Sequence, residues 1–149
     1  MKKYSIIALI ISILMGGSSC KKETESIPRK QTIIAKSWKM TSFIMVDTTG
    51  AEEEMFSALF QPCRQDNLYQ FAADGSYKQD EGATKCDTTD QQIYETGTWT
   101  ISSDESKMTL TPSGETTSDL TFVSFSATEV KLKGVDPIFG PIRITFKAQ

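Results

Sequence analysis

The chain contains no histidine. That absence removes the usual general base at neutral pH and the commonest metal ligand. Neither a Ser-His-Asp nor a Cys-His nucleophile can be assembled without it, and three scattered cysteines do not make a zinc site. No Gly-rich phosphate loop appears, and nothing brings a carboxylate pair such as Glu53 and Asp87 together. These absences point away from an enzyme, a cofactor or a bound metal. Basic charge is also scarce: 16 Lys and Arg stand against 19 Asp and Glu, with no basic stripe to displace phosphate counterions. Nucleic acid is therefore a poor partner. Long apolar runs are missing too. The longest, residues 6–15, is broken by Ser12 and is too short to span a bilayer.

What is present at the start is a leader. Lys2 and Lys3 precede that apolar run, and Gly16, Gly17, Ser18 and Ser19 come after it, which reads as a secretory signal peptide over residues 1–19. Cys20 is next, and here the chain resembles a bacterial lipoprotein precursor, in which the cysteine at the cleavage point is acylated. Three cysteines are odd for an oxidising compartment; a lipid on Cys20 leaves Cys63 and Cys86 as one disulfide pair. The resemblance implies palmitate-type acyl chains on Cys20 and a membrane as partner. Lys21 after the cysteine implies the outer membrane, on its periplasmic or cell-surface face. Losing Lys2 and Lys3 with the leader takes the balance to 14 basic against 19 acidic, a net charge of about −5. Residues 20–31 are polar, charged and hold Pro28, the composition of a flexible tether.

From Thr32 onward the dominant period is two. After a short helical turn at residues 31–35, Trp38, Met40, Ser42 and Ile44 fall on one face of a strand and Phe43 on the other. Glu52, Glu53 and Glu54 then occupy a position where a helix start favours negative charge. Met55 with Leu59 and Phe56 with Phe60 are i,i+4 pairs, so a two-turn helix is expected before Pro62. Its apolar residues are either a plug for one end of the core or a lid over a cavity.

Residues 61–86 are the stretch around which the rest of the domain is organised. Tyr69 and Phe71 alternate toward an Asp74-Gly75 turn, Tyr77 leads the return strand, and Cys63 and Cys86 frame the hairpin. Residues 79–85 read as a solvated acidic loop, without the alternation a calcium loop needs. Further strands carry Trp99 and Ile101 beside Gly97 (a bulge or a close approach), then Met108 and Leu110. Residues 120–125 are apolar on both faces and are expected to be covered on both. Val130 and Leu132 are next, then Ile142, Ile144 and Phe146. That gives an all-β domain over residues 32–149. Eight antiparallel strands with short connections suggest an up-and-down barrel with one short helix between its first and second strands. The inward set (Trp38, Met40, Tyr69, Phe71, Tyr77, Trp99, Ile101, Met108, Leu110, Val130, Leu132, Ile142, Ile144, Phe146) is bulky, so the barrel is expected to be largely filled, with at most a modest cavity.

Several segments together resemble the lipocalin-like domain of Bacteroidota lipoproteins. They are Ser37-Trp38-Lys39-Met40, Tyr69-Gln70-Phe71 with Asp74-Gly75-Ser76-Tyr77, Asp80-Glu81-Gly82-Ala83-Thr84-Lys85-Cys86 with Cys63, and Gly97-Thr98-Trp99. The resemblance implies a calycin-type eight-stranded barrel on a lipid anchor. True lipocalins often stack an arginine of the last strand on the first-strand tryptophan, a place Arg143 would fill against Trp38.

Two functions remain open. One is a small apolar or amphipathic ligand held among Trp38, Tyr69, Phe71, Tyr77 and Trp99, with Met55, Phe56, Leu59 and Phe60 as lid. The other is a filled barrel that meets another protein of the cell envelope.

Overall fold

The computed structural model describes residues 28–149. The expected signal peptide, Cys20 and most of the tether lie outside the described residues. Helix α1 (Arg29–Ile34) opens the described chain. Nine strands come after it: β1 (Ser37–Val46), β2 (Glu52–Glu54), β3 (Leu68–Phe71), β4 (Ser76–Asp80), β5 (Ile93–Ile101), β6 (Lys107–Pro112), β7 (Ser118–Phe125), β8 (Glu129–Asp136) and β9 (Gly140–Ala148). Helix α2 (Phe56–Leu59) and a 3-10 turn (Pro62–Arg64) lie between β2 and β3. From β3 onward each strand pairs antiparallel with the next, and β9 returns to β1, whose other edge takes β3. β1 and β3 to β9 thus close an eight-stranded up-and-down barrel, with β2 as an extra strand on the far half of β1.

The whole expected inward set lies in one core, joined by Ile33, Phe43 and Leu120. Phe43 corrects the alternation read from the sequence. A bulge between Met40 and Ser42 inserts one residue into β1, so the inward positions pass from Trp38 and Met40 to Phe43 and Met45. A strict period of two would have turned Phe43 to solvent; instead it is buried, and Ile44 faces out. A second bulge, between Phe122 and Ser124, interrupts β7. Leu120 is buried there but Val123 is 52% exposed, so this strand is covered on one face rather than both.

The Glu run also departs from expectation. Residues 52–54 form a strand, and α2 is a single turn. The cause is local hydrogen bonding. Met55 N–H donates to the Phe43 carbonyl at 2.8 Å, which holds the segment on the β1 edge. The Glu54 carboxylate accepts from Ser42 Oγ at 2.5 Å and from the Phe43 and Phe56 amides, both at 3.0 Å. It therefore joins β1 to the first free N–H of α2.

One end of the barrel is shut by α1. Ile33 is inserted into the core, and its carbonyl accepts the Trp38 indole N–H at 3.0 Å. The Arg29 guanidinium donates to the Glu105 carbonyl and lies 4.9 Å from the Phe122 ring centroid, while Lys36 Nζ reaches the Ala127 carbonyl at 2.5 Å. These contacts tie the helix to the β5–β6 and β7–β8 turns. Arg143 does not stack on Trp38: it alternates outward between buried Ile142 and Ile144 and pairs with Glu52 at 2.7 Å.

The Asp74-Gly75 hairpin is at the same end. Gly75 takes φ of +88°, and its N–H bonds the Ala72 carbonyl at 3.2 Å, a three-residue loop with a glycine bulge. Trp99 secures it twice, by its backbone N–H to the Gly75 carbonyl at 2.7 Å and its indole N–H to the Ala72 carbonyl at 3.0 Å.

The barrel is weakest where β1 meets β3. Only Ser37, Trp38 and Lys39 pair across that seam, because β1 then turns to β2. Helix α2 and the 3-10 turn fill the resulting wedge. Phe60 packs edge-on against Phe43 with centroids 6.0 Å apart, and Phe56 lies 5.3 Å from Phe60. The Cys63–Cys86 disulfide, with Cα atoms 5.1 Å apart, fastens this wedge to the β4–β5 loop. That loop is not wholly solvated: Glu81 is 1% exposed. Asp66 Oδ2 accepts from the Ala83 and Thr84 amides and the Thr84 hydroxyl, which folds the loop back over the wedge.

This closure is testable in two ways. Closing a loop of about 24 residues removes roughly 3 kcal/mol of unfolded-state entropy. Cys63→Ser with Cys86→Ser should lower unfolding free energy in urea by about that amount. An unchanged midpoint would show that the wedge stays in place without the bridge. The second test concerns acid. Burial pushes the carboxyls of Glu54 and Asp66 up, but the hydrogen bonds from Ser42, Phe43 and Phe56 on one, and from Thr84 and Ala83 on the other, outweigh it and hold both low. Folded values below the ordinary 4.5 and 3.8 mean stability that is complete above those values and lost as pH falls through the folded ones. Urea midpoints of Glu54→Gln and Asp66→Asn should therefore fall less steeply below about pH 4 than those of the parent chain. Parallel curves would contradict the assignment.

Candidate functional site

Along each strand the inward positions of the closed half carry large apolar groups. Ile33, Trp38, Phe71, Met108, Leu110, Val130, Leu132 and Phe146 meet around a void of only about 10 Å³. Trp99 packs on Phe71, with centroids 5.0 Å apart and planes at 61°. This half is solid, so three of the candidate ligand residues, Trp38, Phe71 and Trp99, are core.

The other half is not. Toward the mouth the same strands carry Met40, Phe43, Tyr69, Tyr77, Glu95, Leu110, Leu120, Ile142, Ile144 and Phe146. With Pro112, Ser118 and Asp136 they line a cavity of about 160 Å³. Tyr69 and Tyr77 are thus the two candidate residues that the fold brings to open space. Tyr69 stands edge-on to Phe146, with centroids 5.2 Å apart. Tyr77 donates its hydroxyl to Glu95 Oε1 at 2.6 Å. Its ring has room because Gly97 is opposite it on β5: a Cβ at Gly97 would stand 2.5 Å from Tyr77 Cε1 and 2.4 Å from the Thr111 carbonyl oxygen. The glycine therefore marks a close approach, and the β5 ladder is regular there.

The protonation of the two cavity phenols is set by burial and by the Glu95 carboxylate. Burial, then the charge of Glu95, pushes the Tyr69 phenol far above its ordinary value. Burial, then the hydrogen bond to Glu95, does the same to Tyr77. Both phenols keep their protons across the physiological range and can donate or accept a hydrogen bond. Among the described residues no group of three His, Cys, Asp or Glu is placed to hold a metal.

The four helix-region candidates lie elsewhere. Phe56 and Phe60 fill the seam, where with Met40, Arg64, Asn67, Tyr69 and Gln79 they surround a void of about 10 Å³. Met55 packs against the core, and Leu59 is 37% exposed. None of the four lines the mouth cavity. A larger concavity, about 650 Å³, runs outside the barrel wall past Lys36, Gln70, Lys78, Thr96 and Thr98. It is open to solvent along the outer sheet face and is not part of the interior.

Glu95, Ser118 and Asp136 join the site without having been singled out by sequence reasoning. Glu95 is legible in hindsight: it precedes Gly97 and Trp99 by two and four positions, so the alternation that turns Trp99 inward turns Glu95 inward as well. Asp136 is the last residue of β8, which carries it to the rim.

A closed eight-stranded meander, one end shut by a helix and the other hollow, is a calycin-type barrel. The family model described as a lipocalin-like domain matches residues 34–134, most of the chain, and the chain belongs to that family. No curated protein matches it.

The packing around Tyr77 is testable. Gly97→Ala forces the ring or the β6 backbone to move and should cost about 1–3 kcal/mol in urea unfolding. Because the folded-state values of Tyr69 and Tyr77 are raised, their contribution is intact below the ordinary phenol value of 10.0 and is lost as pH rises above it. An ultraviolet titration of the chain should show these two tyrosines ionising only together with loss of the near-ultraviolet circular dichroism. Ionisation of all four tyrosines in one step near pH 10, in a chain that stays folded, would contradict the burial described.

Proposed function

We propose that this protein is a non-enzymatic binding protein that holds a small, largely apolar molecule in the mouth half of its barrel. The cavity between Tyr69, Tyr77 and Phe146 carries this reading. Its size sets the scale of the ligand. A cavity of about 150 Å³ accommodates benzene, whereas drug-sized ligands need about 300–1,000 Å³. At about 160 Å³ the site suits a single ring or a short branched chain, and is too small for a fatty acid or a haem. The N-terminal leader and Cys20 support the further reading that the domain is carried on a lipid anchor at the outer membrane, as in the lipoproteins of Bacteroidota that the sequence resembles.

A second reading, the filled interaction barrel, is favoured by the solid closed half and by Val135 and Ile138. Val135, near the end of β8, and Ile138, in the β8–β9 turn, are 71% and 82% exposed. The two readings predict different responses to small probes. Tyrosine and tryptophan fluorescence titrated with benzene-sized and with long-chain apolar compounds should saturate with the small ones alone. A flat response to all of them would remove the binding reading and leave the interaction barrel.

A further inference from the structure

The mouth cavity carries charge of one sign only. Its polar groups are the Tyr69 and Tyr77 phenols, the Ser118 hydroxyl and the carboxylates of Glu95 and Asp136, and among the described residues neither lysine nor arginine lines it. Two ion pairs are present among the described residues, Lys131 with Glu129 and Arg143 with Glu52, so neither cavity carboxylate has a cationic partner there. Glu95 uses Oε1 to accept the Tyr77 hydroxyl at 2.6 Å, and among the described residues its Oε2 accepts no hydrogen bond. Asp136 accepts the Ile138 and Phe139 amides on Oδ1, at 2.8 and 3.0 Å, and has Oδ2 to spare. Both residues are partly buried at the open end, where each keeps an acceptor oxygen that a cationic group can meet. The remaining walls are suited to the same guest. Phe43, Tyr69, Tyr77 and Phe146 line the cavity with aromatic rings, a class of side chain whose negative quadrupole attracts a cation and repels an anion.

We infer that the ligand of this cavity is a small organic amine, bound as its ammonium form with the charge toward Glu95 and Asp136 and its apolar part among the aromatic rings. This inference rests on the binding reading and adds the charge of the ligand. Glu95 supplies the specificity: its free oxygen accepts the ammonium N–H while Tyr77 fixes the other oxygen in place. An anionic ligand of equal size would meet two carboxylates, and a neutral one would leave both unanswered.

The test uses three probes of one shape, benzylamine, benzyl alcohol and benzoate, titrated calorimetrically into the full chain at pH 7. Benzylamine should bind at least about tenfold more tightly than benzyl alcohol, and benzoate should not bind. Glu95→Gln should bring benzylamine down to the affinity of benzyl alcohol in the same variant. Asp136→Asn, at the rim, provides a second reading if the first variant loses its near-ultraviolet circular dichroism. Equal or tighter binding of benzyl alcohol or benzoate would overturn the amine assignment and leave the cavity reading standing. An undiminished benzylamine preference in both folded variants would also overturn it. Failure of all three probes to bind would overturn both readings together.

Discussion

The structure depends on strand β1 serving two ladders on one edge. It must pair with β3 to close the barrel and with β2 to build the rim, and three residue pairs are all that remain for the closing seam. On the opposite edge β1 runs against β9 from Trp38 to Met45, so closure is secure from that side. The seam is made good by side chains instead of backbone. Phe60 replaces missing ladder contacts by packing on Phe43, with Phe56 behind it, and the bulge after Met40 is what turns Phe43 inward to receive Phe60. The disulfide then keeps α2 and the 3-10 turn from leaving. Backbone pairing, a bulge, three phenylalanines and one covalent bond form a single device.

That device explains which part of the fold could be read from residues. Alternation located the barrel strands and every member of the expected inward set, because a half-buried antiparallel strand imposes a period of two. It failed where geometry breaks the period. The bulge in β1 reversed Ile44 and Phe43, and the bulge in β7 left Val123 in solvent. Neither bulge has a glycine to announce it. The Glu run misled for another reason: propensity and charge favoured a helix start, but the edge of β1 offered a ladder and Glu54 could satisfy both. Arg143 shows a limit of resemblance, since its register faces it outward to Glu52, away from Trp38.

The candidate site was only half legible. Aromatic residues identified the interior without saying which of them meet space. That depends on how side chains from several strands add up at one level of the barrel, which no single strand reveals. Around Ile33, Trp38 and Met108 the sum fills the section; around Glu95, Ser118 and Ile142 it does not. The polar interior is concentrated toward the mouth as well. Asn67 and Glu81, 3% and 1% exposed, flank the Leu68–Asp80 rung of the hairpin, and Glu95 is opposite Gln79. Among the described residues Asn67 has no hydrogen-bond partner for either side-chain polar atom, and Glu81 has none for Oε2, in contrast to the apolar closed half. A barrel built only for stability would have filled both halves.

The claim that one half is solid and the other hollow can be tested without knowing any natural ligand, because xenon enters dry cavities of this size by volume alone. Methyl spectra of the chain under xenon pressure should show shifts at Leu120, Ile142 and Ile144, which line the mouth cavity, with Val130 and Leu132 in the closed half unmoved. Shifts at Val130 and Leu132, or at none of these methyls, would contradict it.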